Sequence, residues 1–220
     1  MASGLPYRLG ILGGTFDPVH CGHLDLARAA HDAIGLERVW LVPSHVPPHK
    51  PDQPLASPFH RFAMVALAAA SAETPWLIAS DMELSQEGTS YTARTLTRLM
   101  SAGHDPASIF FITGADAFAE IATWRDYPSL LALAHFVVVS RPGFPVASMR
   151  EQLPDLAGRM RSLSSAESIP PQPSILLVDA RTADVSSTDV RRRLAAGLSL
   201  EGRVPATVEQ HAIRHGLYRA

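Results

Sequence analysis

The sequence predicts an α/β fold: an open, doubly wound parallel sheet with helices on both faces and a helical part at its C-terminus. Short apolar runs without polar alternation recur along the chain, and segments with apolar residues at helical spacing separate them. Clusters of glycine and polar residues directly follow these runs, where the carboxyl ends of parallel strands meet. The chain has 220 residues and no long linker, so we predict a single domain spanning residues 1–220.

In the first half of the chain, strands and helices alternate because apolar runs give way to helical spacing and back again. A glycine ends the first helix, and Ser57 followed by Pro58 caps and starts the second. Between these helices, residues 43–51 are too rich in proline for regular structure and are predicted to form a loop. In chain order, the predicted elements are strand 7–12, helix 24–34, strand 38–42, helix 59–70 and strand 76–80.

The second half continues the alternation, with one weaker stretch. Residues 148–161 predict a helix with less distinct periodicity, and the Ser/Pro-rich residues 162–173 predict a mobile surface loop. Ser187 and Thr188 suit the cap of a C-terminal helix, and Pro205 suits the start of another. In chain order, the predicted elements are loop 81–90, helix 91–100, strand 109–113, helix 115–122, strand 136–140, helix 148–161, strand 174–179, helix 189–196 and helix 205–216.

Composition excludes several classes of protein. The formal charge of −2 argues against a nucleic-acid partner, since such surfaces need clustered Lys and Arg, and residues 191–193 form the one basic run. No stretch reaches the ~18 uninterrupted apolar residues of a membrane span. Without a leader pattern, and with Cys21 as the single cysteine, the chain is expected to be soluble and cytoplasmic. The sequence leaves the oligomeric state open and is compatible with a homo-oligomer.

The most distinctive motif lies between the first strand and the first helix, where residues 13–23 read GGTFDPVHCGH. Glycines let a ligand approach the main chain closely. If the helix begins near Gly22, its free N–H groups and positive dipole end face the same ligand as His20 and His23. We therefore predict a phosphate-binding loop. Two histidines three residues apart also fit half of a zinc site, but a metal would not explain the glycines.

Two motifs resemble the paired signatures of the HxGH nucleotidyltransferase superfamily. One is Gly14-Thr15-Phe16-Asp17-Pro18 with His20-x-Gly22-His23, and the other is Ser186-Ser187-Thr188 followed by Arg191. Members pass a nucleoside monophosphate from a triphosphate to an acceptor and release pyrophosphate. Further segments are similar to bacterial nicotinate-nucleotide adenylyltransferases, namely residues 46–50, 90–96, 114–116, 123–124, 141–143 and 216–218.

This resemblance implies a Rossmann-like sheet and the transfer of AMP from ATP to nicotinate mononucleotide, giving deamido-NAD for NAD biosynthesis. It places His20 at the reacting α-phosphate, His23 along the triphosphate, and Arg191 at the β- and γ-phosphates, as catalytic residues. Mg²⁺ is expected to arrive with ATP, held by phosphate oxygens and water, so no protein ligand to a metal is predicted. The residues that it implies for ATP binding are Gly13, Gly14, Thr15, Phe16, Gly22, Lys50, Gly114, Asp116, Ser187 and Thr188.

Some of these assignments keep an alternative. Lys50 either closes over the phosphates or is a solvated loop lysine. Asp116 either meets a ribose or caps a helix. Asp17 is expected to hydrogen-bond inside its own loop rather than to order Mg²⁺. Ser187 is able to cap a helix and contact the ligand at once.

The acceptor is inferred from four further residues. Trp124 is placed to stack on a pyridine ring, and main-chain N–H groups near Tyr91 and Thr92, at a helix start, suit a carboxylate. Arg141 is expected to bind the phosphate of the mononucleotide. Together these features favour nicotinate over nicotinamide mononucleotide. The alternatives are the same chemistry on nicotinamide mononucleotide or phosphopantetheine, a non-catalytic nucleotide-binding regulator, and a zinc hydrolase.

Overall fold

A parallel sheet of seven strands forms the centre of the computed structural model, which describes residues 7–48, 55–72, 74–163 and 169–219. Its strand order is β3-β2-β1-β4-β5-β7-β6, and every neighbouring pair is parallel. The strands are β1 (Leu9–Gly14), β2 (Arg38–Pro43), β3 (Leu77–Ala79), β4 (Ile109–Gly114), β5 (His135–Val139), β6 (Met160–Ser162) and β7 (Ile175–Val178).

Helices cover both faces of this sheet, because each central strand is apolar on both sides. On β4, for example, Phe110 and Ile112 point into one buried cluster, and Ile109 and Phe111 into the other. Helices α1, α2, α6 and α7 pack in the first cluster, and α3, α4 and α5 in the second. The helices are α1 (Cys21–Ile34), α2 (Pro58–Ser71), α3 (Thr92–Ser101), α4 (Ala115–Ala119), α5 (Met149–Gln152), α6 (Ser187–Ala195) and α7 (Ala206–Arg214). The predicted doubly wound parallel sheet and its C-terminal helices are confirmed.

The first strand differs from its prediction at both ends. It begins at Leu9 rather than at residue 7, and it continues through Gly13 and Gly14, which were expected to belong to the loop. Pairing with β2 runs unbroken through Gly13 opposite Val42 and Gly14 opposite Pro43. The ladder therefore outweighs the low strand propensity of glycine, and the loop proper begins only after β1 ends.

The helix predicted over residues 148–161 is wrong. Helix α5 stops at Gln152, a short 3₁₀ helix follows at Pro154–Arg159, and β6 adds an edge strand beside β7. Pro154 explains the break, since the residue before a proline is disfavoured in helical conformation and Leu153 has φ −128° and ψ 66°. Of the surface loop predicted over residues 162–173, residues 164–168 lie outside the described part of the chain.

The strand order reverses beside β1. The chain moves from β1 outward to β2 and β3, then returns to place β4 on the other side of β1. At such a switch point the two connections leave in opposite directions, and a crevice opens at the carboxyl ends of the strands. The loops that follow β1 and β4 therefore flank one crevice.

Candidate active site

A cleft of about 740 Å³ lies at this switch point. It is lined by the loop after β1, the starts of α3, α4 and α6, and the turn after β5. Most of the residues predicted for the site lie along its wall. These are Gly13, Gly14, Thr15, His20, His23, Tyr91, Thr92, Gly114, Asp116, Trp124, Arg141, Ser187 and Thr188.

Four predicted residues are placed differently. Phe16 is buried behind the loop, with its ring edge against His23 at 4.9 Å between centroids. Gly22 lies in the first turn of α1, where a Cβ atom would stand 2.6 Å from Nη1 of Arg141. Arg191 contacts the loop rather than the cleft wall, as described below, and Lys50 lies outside the described residues.

The two histidines of the motif form one stacked unit at the start of α1. The main-chain N–H of His20 donates to Nδ1 of His23 at 3.2 Å, and the two rings stack with centroids 3.6 Å apart. His20 is buried, and within the described residues its Nδ1 has no hydrogen-bond partner. A buried nitrogen left unpaired is costly, so this atom is suited to receive a ligand oxygen.

The charge state of His20 is set by its surroundings. Burial lowers its pKa to about 3, and the positive charge of Arg141 adds to the lowering. The imidazole is therefore neutral in the free protein. Phosphate groups entering the cleft would oppose the field of Arg141 and favour the protonated ring.

The start of α1 is only partly available to a ligand. The N–H of Cys21, the first helical residue, already donates to the main-chain oxygen of Arg203 at 2.8 Å. The N–H of His23 donates back to the main-chain oxygen of His20. The helix dipole still directs its positive end at the cleft, but fewer free N–H groups remain there than the sequence suggested.

Arg191 supports the loop after β1 from behind. Its Nη1 donates to the main-chain oxygen of Asp17 at 2.7 Å and lies 3.7 Å from the Oδ2 atom of the same residue. The Asp17 carboxylate also accepts hydrogen bonds from the N–H groups of Leu55 and Ala56 and from the Tyr218 hydroxyl. The carboxylate of Asp17 therefore joins other chain segments to the loop, whereas the sequence led us to expect hydrogen bonds within the loop itself.

Helix α6 brings the second motif against the first. The Ser187 hydroxyl donates to the main-chain oxygen of Pro18 at 2.9 Å. The cap is formed one residue earlier than predicted, since Ser186 accepts from the N–H of Asp189 while Ser187 and Thr188 belong to the first turn. Both residues still line the cleft, and the Thr188 hydroxyl accepts from Nη2 of Arg191 at 3.4 Å.

Arg141 lines the cleft and is held by main-chain oxygens. It donates to the main-chain oxygens of Ala183 at 3.4 Å and Val185 at 3.2 Å. A Cβ atom on Gly114 would stand 2.9 Å from Cγ of Arg141, so glycine is needed on this side as it is at Gly22. The guanidinium is thereby fixed beside His20, where phosphates of either substrate would come within reach.

Another part of the cleft, here called the aromatic end, is lined by the rings of Tyr91 and Trp124 and by the main chain at the start of α3. Tyr91 caps α3 through its main-chain oxygen, which accepts from the N–H groups of Arg94 and Thr95. The guanidinium of Arg125 lies over the Tyr91 ring at 4.7 Å. Trp124 is half-buried, with its ring edge-on to Phe111 at 5.9 Å between centroids. A flat ring and a helix start thus lie side by side.

Several residues of the site were missed at the sequence level, among them Glu83, Arg125 and Arg61. Glu83 and Arg125 line the cleft, and Arg61 lies fully buried beneath it. Arg61 donates to the main-chain oxygens of Thr15 at 2.7 Å, His45 at 3.1 Å and Ala56 at 3.3 Å. In the sequence, the one indication of this role was the position of Arg61 on the inner side of α2, an alanine-rich helix.

No group of three or more His, Cys, Asp or Glu side chains in the described ranges is arranged to hold a metal ion. The zinc alternative for His20 and His23 thus gains no support from their neighbours. Likewise, in the part of the chain that the structure describes, every helix is too short or too polar to cross a membrane.

Comparisons with known proteins agree on one family. A family model described as cytidylyltransferase-like matches residues 11–193. A relative from Moorella thermoacetica, named "Probable nicotinate-nucleotide adenylyltransferase", is 39% identical over 97% of this chain and 93% of its own length. A relative of the same name from Desulfatibacillum aliphaticivorans is 40% identical over 96% of this chain and 99% of its own.

Solved structures share the fold. The Plasmodium falciparum nicotinic acid mononucleotide adenylyltransferase complexed with NaAD superposes with a TM-score of 0.71 at 16% identity, covering 96% of this chain and 97% of that one. The same enzyme complexed with APC gives a TM-score of 0.70. At this identity the likeness establishes the architecture alone.

Proposed function

The chain belongs to the nicotinate-nucleotide adenylyltransferase family, and from this premise we propose that its cleft transfers AMP from ATP to nicotinate mononucleotide. The products are nicotinate adenine dinucleotide and pyrophosphate, a step of NAD biosynthesis. The observation that carries the proposal is the Nδ1 atom of buried His20 beside Arg141, which has no hydrogen-bond partner among the described residues and lies at the crevice where the strand order reverses. Because ATP and pyridine mononucleotides are cytoplasmic metabolites, we propose that the enzyme acts in the cytoplasm.

The reaction needs alignment and charge stabilisation rather than a covalent enzyme intermediate. A phosphate oxygen of the acceptor attacks the α-phosphorus of ATP, the new O–P bond forms, and the bond to the β-phosphate oxygen breaks. Negative charge then grows on the leaving pyrophosphate. His20 and Arg141 face this position from the wall of the cleft, and the start of α1 adds its dipole.

His20 is proposed to act at the α-phosphate, and the neutral ring of the free enzyme gains a proton as phosphates bind. His23, stacked on it, keeps the ring in place and extends the donor surface along the triphosphate. Arg191, Ser187 and Thr188 are proposed to serve the β- and γ-phosphates from α6. Because Arg191 already holds the main-chain oxygen of Asp17, it acts on the loop as well as on the ligand.

Mg²⁺ is proposed to enter with ATP as part of the substrate. The groups nearest the proposed phosphate position are imidazole and guanidinium, which do not suit this hard cation. The donor set therefore fits a metal held by phosphate oxygens and water. The nearby carboxylate of Asp116 is available to a coordinated water or to a ribose hydroxyl.

The acceptor is proposed to bind at the aromatic end, with its pyridine ring on Trp124 and its carboxylate at the helix start of Tyr91 and Thr92. The test supplies ATP and Mg²⁺ with nicotinate mononucleotide or nicotinamide mononucleotide in parallel and follows pyrophosphate release. We expect a large preference for the nicotinate form. Equal rates would remove the nicotinate assignment, and no release with either acceptor would remove the enzymatic one.

A further inference from the structure

One carboxylate in the cleft has no part in the proposed reaction. Glu83 lies in the segment between β3 and α3 and lines the same end of the cleft as Ser90, Tyr91 and Thr92. This is the end proposed for the acceptor, which itself carries a carboxylate and a phosphate. A glutamate there is electrostatically unfavourable for the ligand, so its presence calls for a specific use.

The contacts of Glu83 join two parts of the wall. The Thr95 hydroxyl, in the first turn of α3, donates to Oε1 of Glu83. The Ser90 side chain lies near the same carboxylate. Ser90 also accepts at its Oγ from the N–H of His45 at 2.8 Å, and its own N–H donates to the main-chain oxygen of Val46 at 2.8 Å. Glu83 therefore anchors the first turn of α3 beside Ser90, which is itself bound to the loop that follows β2.

No cation neutralises this carboxylate through a direct contact among the described residues. The nearest one, Arg98, directs its Nη1 to the main-chain oxygen of Met82, 2.5 Å away. Burial raises the pKa of Glu83, and the nearby hydroxyls of Thr95 and Ser90 oppose that rise. The carboxyl group is thus held by the Thr95 hydroxyl in place of an ion pair.

We propose that Glu83 is a positioning residue for acceptor selection, fixing the start of α3 so that its main-chain N–H groups meet the carboxylate of the pyridine ring. The proposal rests on the proposed function, because it places the acceptor at this helix start. Thr95 lies one turn into α3, and Ser90 directly precedes Tyr91, so the two residues beside the Glu83 carboxylate bracket the amides in question. Without Glu83, this turn loses its anchor to the rest of the wall.

The expected effect is specific to one substrate. Glu83→Ala should raise KM for nicotinate mononucleotide about tenfold and bring the ratio of kcat/KM between the nicotinate and nicotinamide forms toward one. KM for ATP should stay within about twofold, since the triphosphate lies at the loop after β1. Glu83→Gln retains an oxygen that accepts from Thr95, and it should recover most of the nicotinate preference. Thr95→Val removes the hydroxyl that donates to Glu83, so it should also bring the ratio of kcat/KM between the two acceptors toward one.

The experiment measures pyrophosphate release by the full-length enzyme and the three variants, with each acceptor and with ATP varied separately. Circular dichroism and thermal melting check the fold, and if Glu83→Ala melts below the assay temperature, Thr95→Val decides. A proportional rise in KM for ATP and acceptor would overturn the positioning role, as would an unchanged acceptor ratio in Glu83→Ala. Wild-type enzyme without turnover on either acceptor would instead overturn the proposed function, and this inference with it.

Discussion

At the scale of single residues, the site contains two kinds of buried polar group. Some have no hydrogen-bond partner among the described residues, and others donate to main-chain oxygens. Nδ1 of His20 lacks a partner among the described residues, whereas the Arg61 guanidinium is satisfied by three main-chain oxygens. The first arrangement leaves binding capacity for a ligand, and the second stabilises the loops around it. Substitution of the first kind of group is therefore expected to impair ligand binding or turnover, and substitution of the second kind is expected to lower stability.

His20→Ala should lower turnover much more than ATP binding. The ring is expected to meet the α-phosphate chiefly as charge develops, and loss of one such donor costs about 10²- to 10³-fold in kcat. Pyrophosphate release and equilibrium ATP binding are measured on the same preparation. His104→Ala is the control, because His104 packs edge-on to Trp40, remote from the proposed chemistry. A proportional fall in binding and turnover would refute the transition-state role of His20.

Tyr218→Phe should destabilise the fold by about 1 to 3 kcal/mol, since it removes the hydroxyl that donates to Asp17 at 2.6 Å. Burial and the adjacent carboxylate both raise the pKa of Tyr218, so the hydroxyl stays protonated as this donor requires. Urea unfolding gives the free energy of unfolding. Tyr127→Phe serves as a control and should change it by less than about 0.5 kcal/mol. If both variants lowered the free energy of unfolding equally, the hydrogen bond from Tyr218 to Asp17 would not be the cause of the loss.

At the scale of elements, the predictable parts were those with a strong local pattern. Continuous apolar runs identified β2, β4 and β5, whereas α1 begins at Cys21, three residues before the start of the helix predicted over residues 24–34. Edge strand β6 is three residues long and forms only because β7 offers it a partner, so no local pattern indicates it. Glu83 and Arg61 were missed for a related reason: their partners lie far away in the sequence or belong to the main chain.

The packing of α1 against the turn after β5 predicts that a side chain at Gly22 displaces Arg141. In Gly22→Ala, the new methyl group would stand 2.6 Å from Nη1 of Arg141 and 3.2 Å from the main-chain oxygen of Ala183. Arg141 must move away from His20, so turnover should fall at least about tenfold while the fold persists. Gly158→Ala is the matched control, since nothing lies within 4 Å of its Cβ position. Pyrophosphate release and melting temperature are compared, and unchanged turnover in Gly22→Ala would contradict a fixed Arg141.

At the scale of the whole molecule, distant parts of the chain converge on the loop after β1. Asp17 receives contacts from the segment before α2, from α6 and from the C-terminal Tyr218. The proposed phosphate site is therefore assembled only when the chain is folded over nearly its full described length. Global stability and activity are coupled through this loop, and conditions that loosen the fold should also reduce turnover.

Acid is one such condition, and His135 on β5 gives it a defined cause. This fully buried ring stacks on Phe110, and its pKa is lowered to about 4, mainly by burial and further by the charge of Arg8, although the main chain at Ala107 opposes this. The unfolded chain, with the ordinary value of 6.5, takes up the proton first as pH falls. Stability is therefore complete above about pH 6.5 and is lost progressively toward pH 4, by on the order of 2 to 3 kcal/mol.

His135→Asn tests this, because asparagine offers the Ser174 N–H an acceptor in place of Nδ1 but does not titrate. Its free energy of unfolding should be lower at pH 7.5 but should change less between pH 6.5 and pH 4 than that of the wild type. Part of the slope should persist, since His20 also has a lowered pKa and acts in the same direction. Phe110→Leu, which removes the stacking partner alone, should lower stability equally at every pH. Parallel pH profiles for wild type and His135→Asn would exclude His135 as a source of acid lability.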